Sequence, residues 1–404
     1  MRLPCPDPCL PSANWFYIGL MVMGKDAASP LYAVLAPRLF DGATMRGPAA
    51  LLHRAGRIVG VAEPSAVPDG VIRHELPPGA LLAPGFIDVQ VNGGGGMLLN
   101  DAPTPAGMRA IIAAHRRFGT TGLLPTLITD KGEVMVRAVA AARDMAGQPG
   151  FLGLHLEGPF LNPERKGVHR AEYMVTPGDA DLDLLGQAAL VTLAPERAPP
   201  GFIRKLRQRG PRIAAGHTMA TAAQMKAAVE EGLTGVTHLY NAMPPLSGRA
   251  PGPIGAAFAD ERLVAGIICD GLHVDPLNVR AAWRAMGAAR LMLVTDAMPS
   301  VGAASAGFNL LGRDVALQDG RLVLADGTLA GAHLDMAAAV RNAINLAGLP
   351  LGDALAMASA TPAAFLGQGH VRGRLAPGLA ADLVALDAGL GVLGTWVAGE
   401  YQAV

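Results

Sequence analysis

The sequence predicts an α/β protein: a (β/α)8 TIM-type barrel with a small β-sandwich domain built from both chain ends. Three observations carry this. The middle of the chain alternates strand-like apolar runs with amphipathic helical stretches, eight times over. The two ends share another texture, short β segments cut by Gly and Pro turns, and chain termini often lie together. Ionisable residues gather just past the C-terminal ends of the central runs, where such a barrel presents its chemistry, while the run interiors stay apolar.

The bulk numbers suit this architecture. The chain has 404 residues, 51% hydrophobic and 16% charged, enough for a barrel with an accessory domain and a large core. Lys+Arg and Asp+Glu balance at 33 each, so there is no electrostatic footprint for nucleic acid or an anionic membrane. A small-molecule partner fits that neutrality, with charge recognised locally. Three cysteines, Cys5, Cys9 and Cys269, form no framework and point to a reducing, cytoplasmic setting. Cys5 and Cys9 lack a second Cys/His pair nearby, which argues against a structural metal site.

Residues 1–30 read as a disordered N-terminal extension, with Met21 or Met23 as an alternative start. The apolar run Trp15 to Met23 is too short to span a membrane, and the proline-rich beginning is unlike a signal peptide. Residues 31–82 and 372–404 are assigned to the small β domain, and residues 83–371 to the barrel. Strand-like segments at Leu31–Ala36, Ala49–Leu52, Arg57–Val61 and Val71–Leu76 find their counterparts in Gly378–Leu386 and Gly394–Glu400.

The eight barrel strands are expected at Phe86–Val91, Thr121–Leu124, Phe151–Leu156, Leu190–Ala194, Arg212–Ala215, Gly235–His238, Val264–Cys269 and Leu291–Thr295. Helices are expected at Pro105–Phe118, Glu133–Met145, Phe202–Arg209, Ala220–Glu231 and Pro276–Met286. Gly/Pro-rich hairpin material, Leu310–Ala325, follows the eighth strand, and helices Met336–Leu346 and Gly352–Leu366 close the domain.

The stretch from Phe151 to His169 organises the site. An apolar run delivers Glu157 at its end, Gly158-Pro159 breaks it, and a polar loop carries His169. Strand five is followed by His217, strand six carries His238, strand seven leads to Asp270-Gly271-Leu272-His273, and strand eight ends in Thr295-Asp296. One histidine alone would more often be a satisfied core residue. Glu157, His217 and His238 together make a three-ligand set for a catalytic divalent metal with an open fourth position. Asp296 is then the carboxylate placed to shuttle protons, and His169 the group placed to polarise a carbonyl and stabilise an oxyanion. Backbone N–H groups of Asn241 and Ala242, with Arg249 nearby, suit an anion such as phosphate. His53, His74, His115 and His370 fall away from strand ends and are expected to be solvated or to sit at the rim of the core.

The segments GLHLEGPFLNPERKGVH, AAGHTMA, GVTHLYNAMPPLSGRAPG, IICDGLHVD and LVTDAM occur in order. With PGFIDVQVNGGGG and LAGAHLDM, they resemble the N-acetylglucosamine-6-phosphate deacetylases of the amidohydrolase superfamily, from about Pro84 to Gly378. The resemblance implies hydrolysis of the acetamide of N-acetylglucosamine 6-phosphate to glucosamine 6-phosphate and acetate, in amino-sugar catabolism and cell-wall sugar recycling. Deacetylation of the galacto epimer, or of another small amide, stays open as an alternative; a non-catalytic amidohydrolase-like scaffold is the other, but it would be expected to lack a ligand or Asp296, and all are present. The resemblance also implies Glu157, His217 and His238 as metal ligands, Asp296 as catalytic acid/base and His169 as the carbonyl-polarising residue. Val168, Asn241, Ala242, Arg249, Asp270, Gly271, Leu272, His273, Leu329, Ala330 and Gly331 are the implied substrate contacts. A homodimer is implied as well, its arginine reaching a phosphate across the interface.

Where many amidohydrolases carry His-x-His after strand one and bind two metals, this chain has Gln90 and Asn92. Neutral amides are poor zinc ligands, so one divalent ion per subunit is expected: zinc foremost, with iron or another first-row metal also suited to these ligands. Lys166-Gly167-Val168, Arg170-Ala171, Ala330 and Ala332-His333 depart from the family pattern and bear on fine sugar specificity.

Overall fold

A computed structural model describes residues 29–305 and 307–404. Eight strands pair in parallel and in sequence order: β1 (Phe86–Val91), β2 (Thr120–Ile128), β3 (His155–Glu157), β4 (Leu190–Leu193), β5 (Arg212–Ala215), β6 (Gly235–Val236), β7 (Val264–Ile268) and β8 (Leu291–Val294). Almost every residue of these strands is buried, as expected of a parallel sheet covered on both faces. The sheet closes just past its last strand. Asp296 N–H donates to the Gln90 carbonyl at 3.0 Å, and Asn92 N–H to the Ala297 carbonyl at 2.9 Å.

Each strand forms where it was expected, but several stop short. The run from Phe151 contributes only a bridge to Leu123 before Gly153 turns it at φ +124°, so β3 proper begins at His155. A Cβ at Gly153 would lie 2.5 Å from the Ala189 Cβ. The sixth strand ends at Val236 because His238 leaves the extended region at φ +30°. The helix expected at Gly352–Leu366 is two helices, Leu351–Met357 and Ala360–Phe365. Pro362 has no N–H to donate, and in a continuous helix its ring would meet the Ala358 carbonyl.

Two smaller sheets form the separate domain and draw on both chain ends. A six-stranded sheet runs Glu400–Ala403, Val392–Val397, Leu383–Leu386, Leu81–Pro84, Arg38–Phe40, Met45–Arg46. A four-stranded sheet runs Arg57–Ala62, Ala49–Arg54, Tyr32–Ala36, Ile72–Glu75. Val34, Leu51, Ile58, Leu82, Leu383 and Trp396 share one apolar core between them. Leu81–Pro84, a strand the sequence reading missed among its flanking prolines, pairs Leu82 with Ala385 and leads directly into β1. The extension expected over 1–30 lies outside the described residues apart from 29 and 30, as do Cys5 and Cys9. Cys269 is buried and unpaired.

The hairpin material after β8 is a four-stranded meander: Gly307–Leu310, Arg313–Gln318, Arg321–Val323 and Leu329–Ala332. Its last strand lies along the end of β8. Ala332 N–H donates to the Asp296 carbonyl and Met298 N–H to the Ala332 carbonyl, both at 3.1 Å. Among the described residues, no helix is long and apolar enough to cross a membrane.

Candidate active site

The C-terminal ends of the barrel strands bring Glu157, His217 and His238 to one point. Glu157 Oε1 lies 3.2 Å from His217 Nε2 and 3.0 Å from His238 Nε2, and the two imidazole nitrogens are 3.0 Å apart. All three side chains are buried. Ligand atoms about 2.0–2.1 Å from a tetrahedral zinc would be roughly 3.3 Å from one another, so the set has the right size. It also has the right charge. Glu157 is held well below the usual carboxylate range: burial works against ionisation, but the hydrogen bonds and charge of His217 and His238 outweigh it. A buried carboxylate between two ring nitrogens calls for a cation, and no Lys or Arg forms an ion pair with Glu157 among the described residues.

The tautomers can be read from the partners. His217 Nδ1 sits 2.7 Å from the Arg165 carbonyl, which can only accept. A proton therefore sits on Nδ1, and Nε2 is the nitrogen turned toward Glu157 and His238. His169 is the opposite case. Its Nδ1 accepts the Thr129 backbone N–H at 3.2 Å and lies 2.9 Å from Thr129 Oγ1. The neutral ring then carries its proton on Nε2. Burial, with the charge of His217 adding, holds His169 well below its ordinary value, so it stays neutral. Glu157, His169 and His217 also present ligand atoms within 4.8 Å of one another. The trio containing His238 is the tighter one, and an Nε2–H on His169 is a donor rather than a metal ligand.

Asp296 is partly buried beside this trio, and among the described residues no cationic side chain is paired to it. Burial raises its pKa to about 6, and the nearby negative charge of Glu157 adds to the effect. Asn92 Nδ2 donates to Asp296 Oδ1 at 2.6 Å, and Gln90 Nε2 donates to the same oxygen at 3.2 Å. Gln90 Nε2 also reaches both Glu157 oxygens, at 3.2 and 3.1 Å. Gln90 thus bridges the two carboxylates, and Asn92 donates to Asp296 alone.

The substrate contacts implied by the sequence are arranged less evenly. Asp270 holds its own turn: Oδ1 accepts the N–H groups of Leu272 and His273 at 2.8 Å, and Oδ2 meets His273 Nδ1 at 2.6 Å. Gly271 supplies the φ of +73° at that turn. Of the two backbone N–H groups expected to hold an anion, that of Asn241 is spent on the His238 carbonyl at 2.9 Å, leaving the one on Ala242. Arg249 stands exposed in the loop before the helix Gly252–Ala259. Leu329, Ala330 and Gly331 lie on the strand bonded to Asp296–Met298. Gly331 has φ +72°, and a Cβ there would lie 2.6 Å from Met298. The Val168 side chain joins the apolar cluster under the meander, and its carbonyl accepts from Arg313.

Several features escaped the sequence reading. His217, His238, Ala242 and Asp296 all have positive φ, between +30° and +51°. Backbone strain of this kind gathers at functional sites, at roughly 1–3 kcal/mol each. His115, expected at the rim or in solvent, is fully buried, with Nε2 2.9 Å from the Gly93 carbonyl. His53 is buried too, stacked on Tyr32. A cavity of about 700 Å³ on the small β domain, lined by Tyr32, His53, His74, Trp396 and Tyr401, is an aromatic cleft away from the converging carboxylates.

Residues 81–401 match the model of the amidohydrolase family. The chain belongs to the amidohydrolase family. It is 45% identical over 340 residues to N-acetylgalactosamine-6-phosphate deacetylase of Shewanella sp. (strain ANA-3), covering 82% of this chain and 85% of the relative. It is 38% identical over 343 residues to the human N-acetylglucosamine-6-phosphate deacetylase, covering 80% and 83%. The crystal structure of N-acetylglucosamine-6-phosphate deacetylase from Pasteurella multocida superposes with a TM-score of 0.89 at 35% identity, covering 93% of this chain and 100% of that one. Amidohydrolases generally bind a divalent metal, and Glu157 and His217, with either His169 or His238, present ligand atoms that could hold one.

Proposed function

We propose that this chain hydrolyses the acetamide of N-acetylglucosamine 6-phosphate, releasing acetate and glucosamine 6-phosphate, as a step in amino-sugar breakdown in the cytoplasm. The observation that carries the reading is the convergence of the Glu157, His217 and His238 ligand atoms beside a partly buried Asp296. One divalent ion per subunit, zinc foremost, fits that donor set. Gln90 and Asn92 turn amide N–H groups toward the carboxylates, and neutral amides are poor ligands for a second ion. Such an ion supplies Lewis acidity, making a water more acidic and drawing electron density from the acetamide carbonyl.

The chain's own residues do the rest. Asp296, with its pKa raised toward neutrality, takes the proton of the attacking water and passes it to the leaving amine. His169 Nε2–H donates to the oxygen on which negative charge develops, and Thr129 keeps that proton aimed by filling Nδ1. Asp270 orients His273 toward the sugar. Arg249 and the Ala242 N–H serve the 6-phosphate, with Arg249 reaching the neighbouring protomer's site in a homodimer.

A second reading is favoured by one observation. The relative at 45% identity is named for the galacto epimer, whereas the human relative, at 38%, is named for the gluco sugar. The two substrates differ in the orientation of one hydroxyl. Acetate release from both phosphorylated epimers, with and without chelator, tests both readings. A higher kcat/KM on N-acetylgalactosamine 6-phosphate assigns the second, and no chelator-sensitive release from either overturns both.

A further inference from the structure

We infer that Glu196 is a positioning residue for the metal centre, holding His217 in its ligating pose; the inference rests on the metal-site reading above. Glu196 lies just past β4, in the turn Pro195–Arg197, and is only partly exposed. Among the described residues its carboxylate forms no ion pair, and each of its three recorded hydrogen bonds ends on a segment that fixes His217. Oε1 accepts the Met219 N–H at 2.6 Å and the Asn162 side-chain N–H at 2.9 Å. Oε2 accepts the Thr218 hydroxyl.

These contacts grip His217 from both sides. Thr218 and Met219 follow it directly, where the chain must turn after a left-handed residue at φ +47°. Such a conformation is disfavoured and persists only where neighbours enforce it. On the other side, Asn162 N–H donates to the His217 carbonyl at 2.9 Å. Asn162 Oδ1 caps the turn Pro163–Arg165 by accepting the Glu164 N–H at 3.0 Å. That turn presents the Arg165 carbonyl to His217 Nδ1 at 2.7 Å. One carboxylate therefore braces both the backbone bend that aims the ring and the acceptor that sets its tautomer. Outer partners of this kind typically carry 10–100-fold in metal affinity.

The work Glu196 does is geometric, so charge is dispensable. In Glu196→Gln the amide oxygen can keep Met219 and Asn162, while the amide N–H can donate to the Thr218 oxygen. The test is zinc affinity, measured by competition against a chromophoric chelator on the stripped full-length chain, with Glu196→Ala, Glu196→Gln, Asn162→Ala and His217→Ala beside the unaltered protein. Glu196→Ala is expected to bind zinc roughly 10–100-fold more weakly at a temperature where it is fully folded. Asn162→Ala should lose less, and Glu196→Gln should stay within a few-fold. A role confined to stability would lower the melting temperature and leave zinc affinity unmoved. If His217→Ala loses zinc while Glu196→Ala and Asn162→Ala bind like the unaltered chain, the assignment is overturned. If Glu196→Ala does not fold, Asn162→Ala decides alone: weaker zinc binding upholds the brace and unchanged binding rejects it. If the unaltered chain binds no zinc, or His217→Ala binds it equally well, the metal-site reading has failed and the assignment falls with it.

Discussion

Replacing Asp296 by Asn removes a proton acceptor and almost nothing else. The carboxylate oxygen Oδ1 receives Asn92 Nδ2 at 2.6 Å and Gln90 Nε2 at 3.2 Å, and an Asn carbonyl can keep both donors. The backbone at 296 is fixed independently, its N–H to Gln90 at 3.0 Å and its carbonyl from Ala332 at 3.1 Å. Its φ of +51° is one that Asn tolerates as readily as Asp. Glu157, His217 and His238 are untouched, so metal content should not change. What is lost is the group that accepts the water proton and returns it to the amine. General acid–base catalysis of this sort contributes ~10²–10⁴-fold, or about 3–5.5 kcal/mol of barrier. The assay is steady-state acetate release from the phosphorylated sugar, run beside metal analysis and a melting curve. A variant that folds, carries normal metal and keeps more than about a tenth of kcat would refute the reasoning. Glu157 or His169 would then have to be reconsidered as the base.

Other outcomes follow from the same geometry. Because Asp296 must be ionised to act and its pKa is raised to about 6, activity should be present above that value and fall as pH drops through it. A bound cation moves this limb lower, so an acid limb well above about pH 7 would contradict the assignment. Metal analysis of the native protein should find one divalent ion per subunit, and chelation should abolish turnover; two tightly held ions would refute the reading of Gln90 and Asn92. Arg249→Ala should raise KM for the phosphorylated sugar by roughly tenfold or more and barely alter it for the unphosphorylated one; equal effects would make the arginine structural. Gly158→Ala forces a side chain onto φ +89° and a Cβ to 2.2 Å from Thr129 Oγ1. Chemical denaturation should register a loss of about 2 kcal/mol or more, and kcat should fall because Thr129 aims His169.

Much of the site was legible because of one regularity. In a parallel barrel the chain emerges from every strand at the same end, so a polar residue just past an apolar run is at the mouth. That rule found Glu157, His217, His238, Asp270, His273 and Asp296 without any coordinates. Applied to strand four it would also have found Glu196, two residues past Ala194. What it could not supply was which nitrogen faces inward. The Thr129 N–H and the Arg165 carbonyl, remote in sequence from His169 and His217, set opposite tautomers on two neighbouring rings.

Alternation of apolar runs and amphipathic helices determined the barrel, and residue types at strand ends pointed to a carboxylate–imidazole metal chemistry. Both are local properties, written in periodicity and side-chain identity. The exact extent of strands three and six, the break at Ser359, and the depth of His53 and His115 depended on contacts between segments far apart in the chain. So did the left-handed backbone at His217, His238 and Asp296. A positive φ at a non-glycine residue is disfavoured locally and persists only when surrounding hydrogen bonds enforce it. For that physical reason the sequence named candidate ligands, and only the folded structure could aim them.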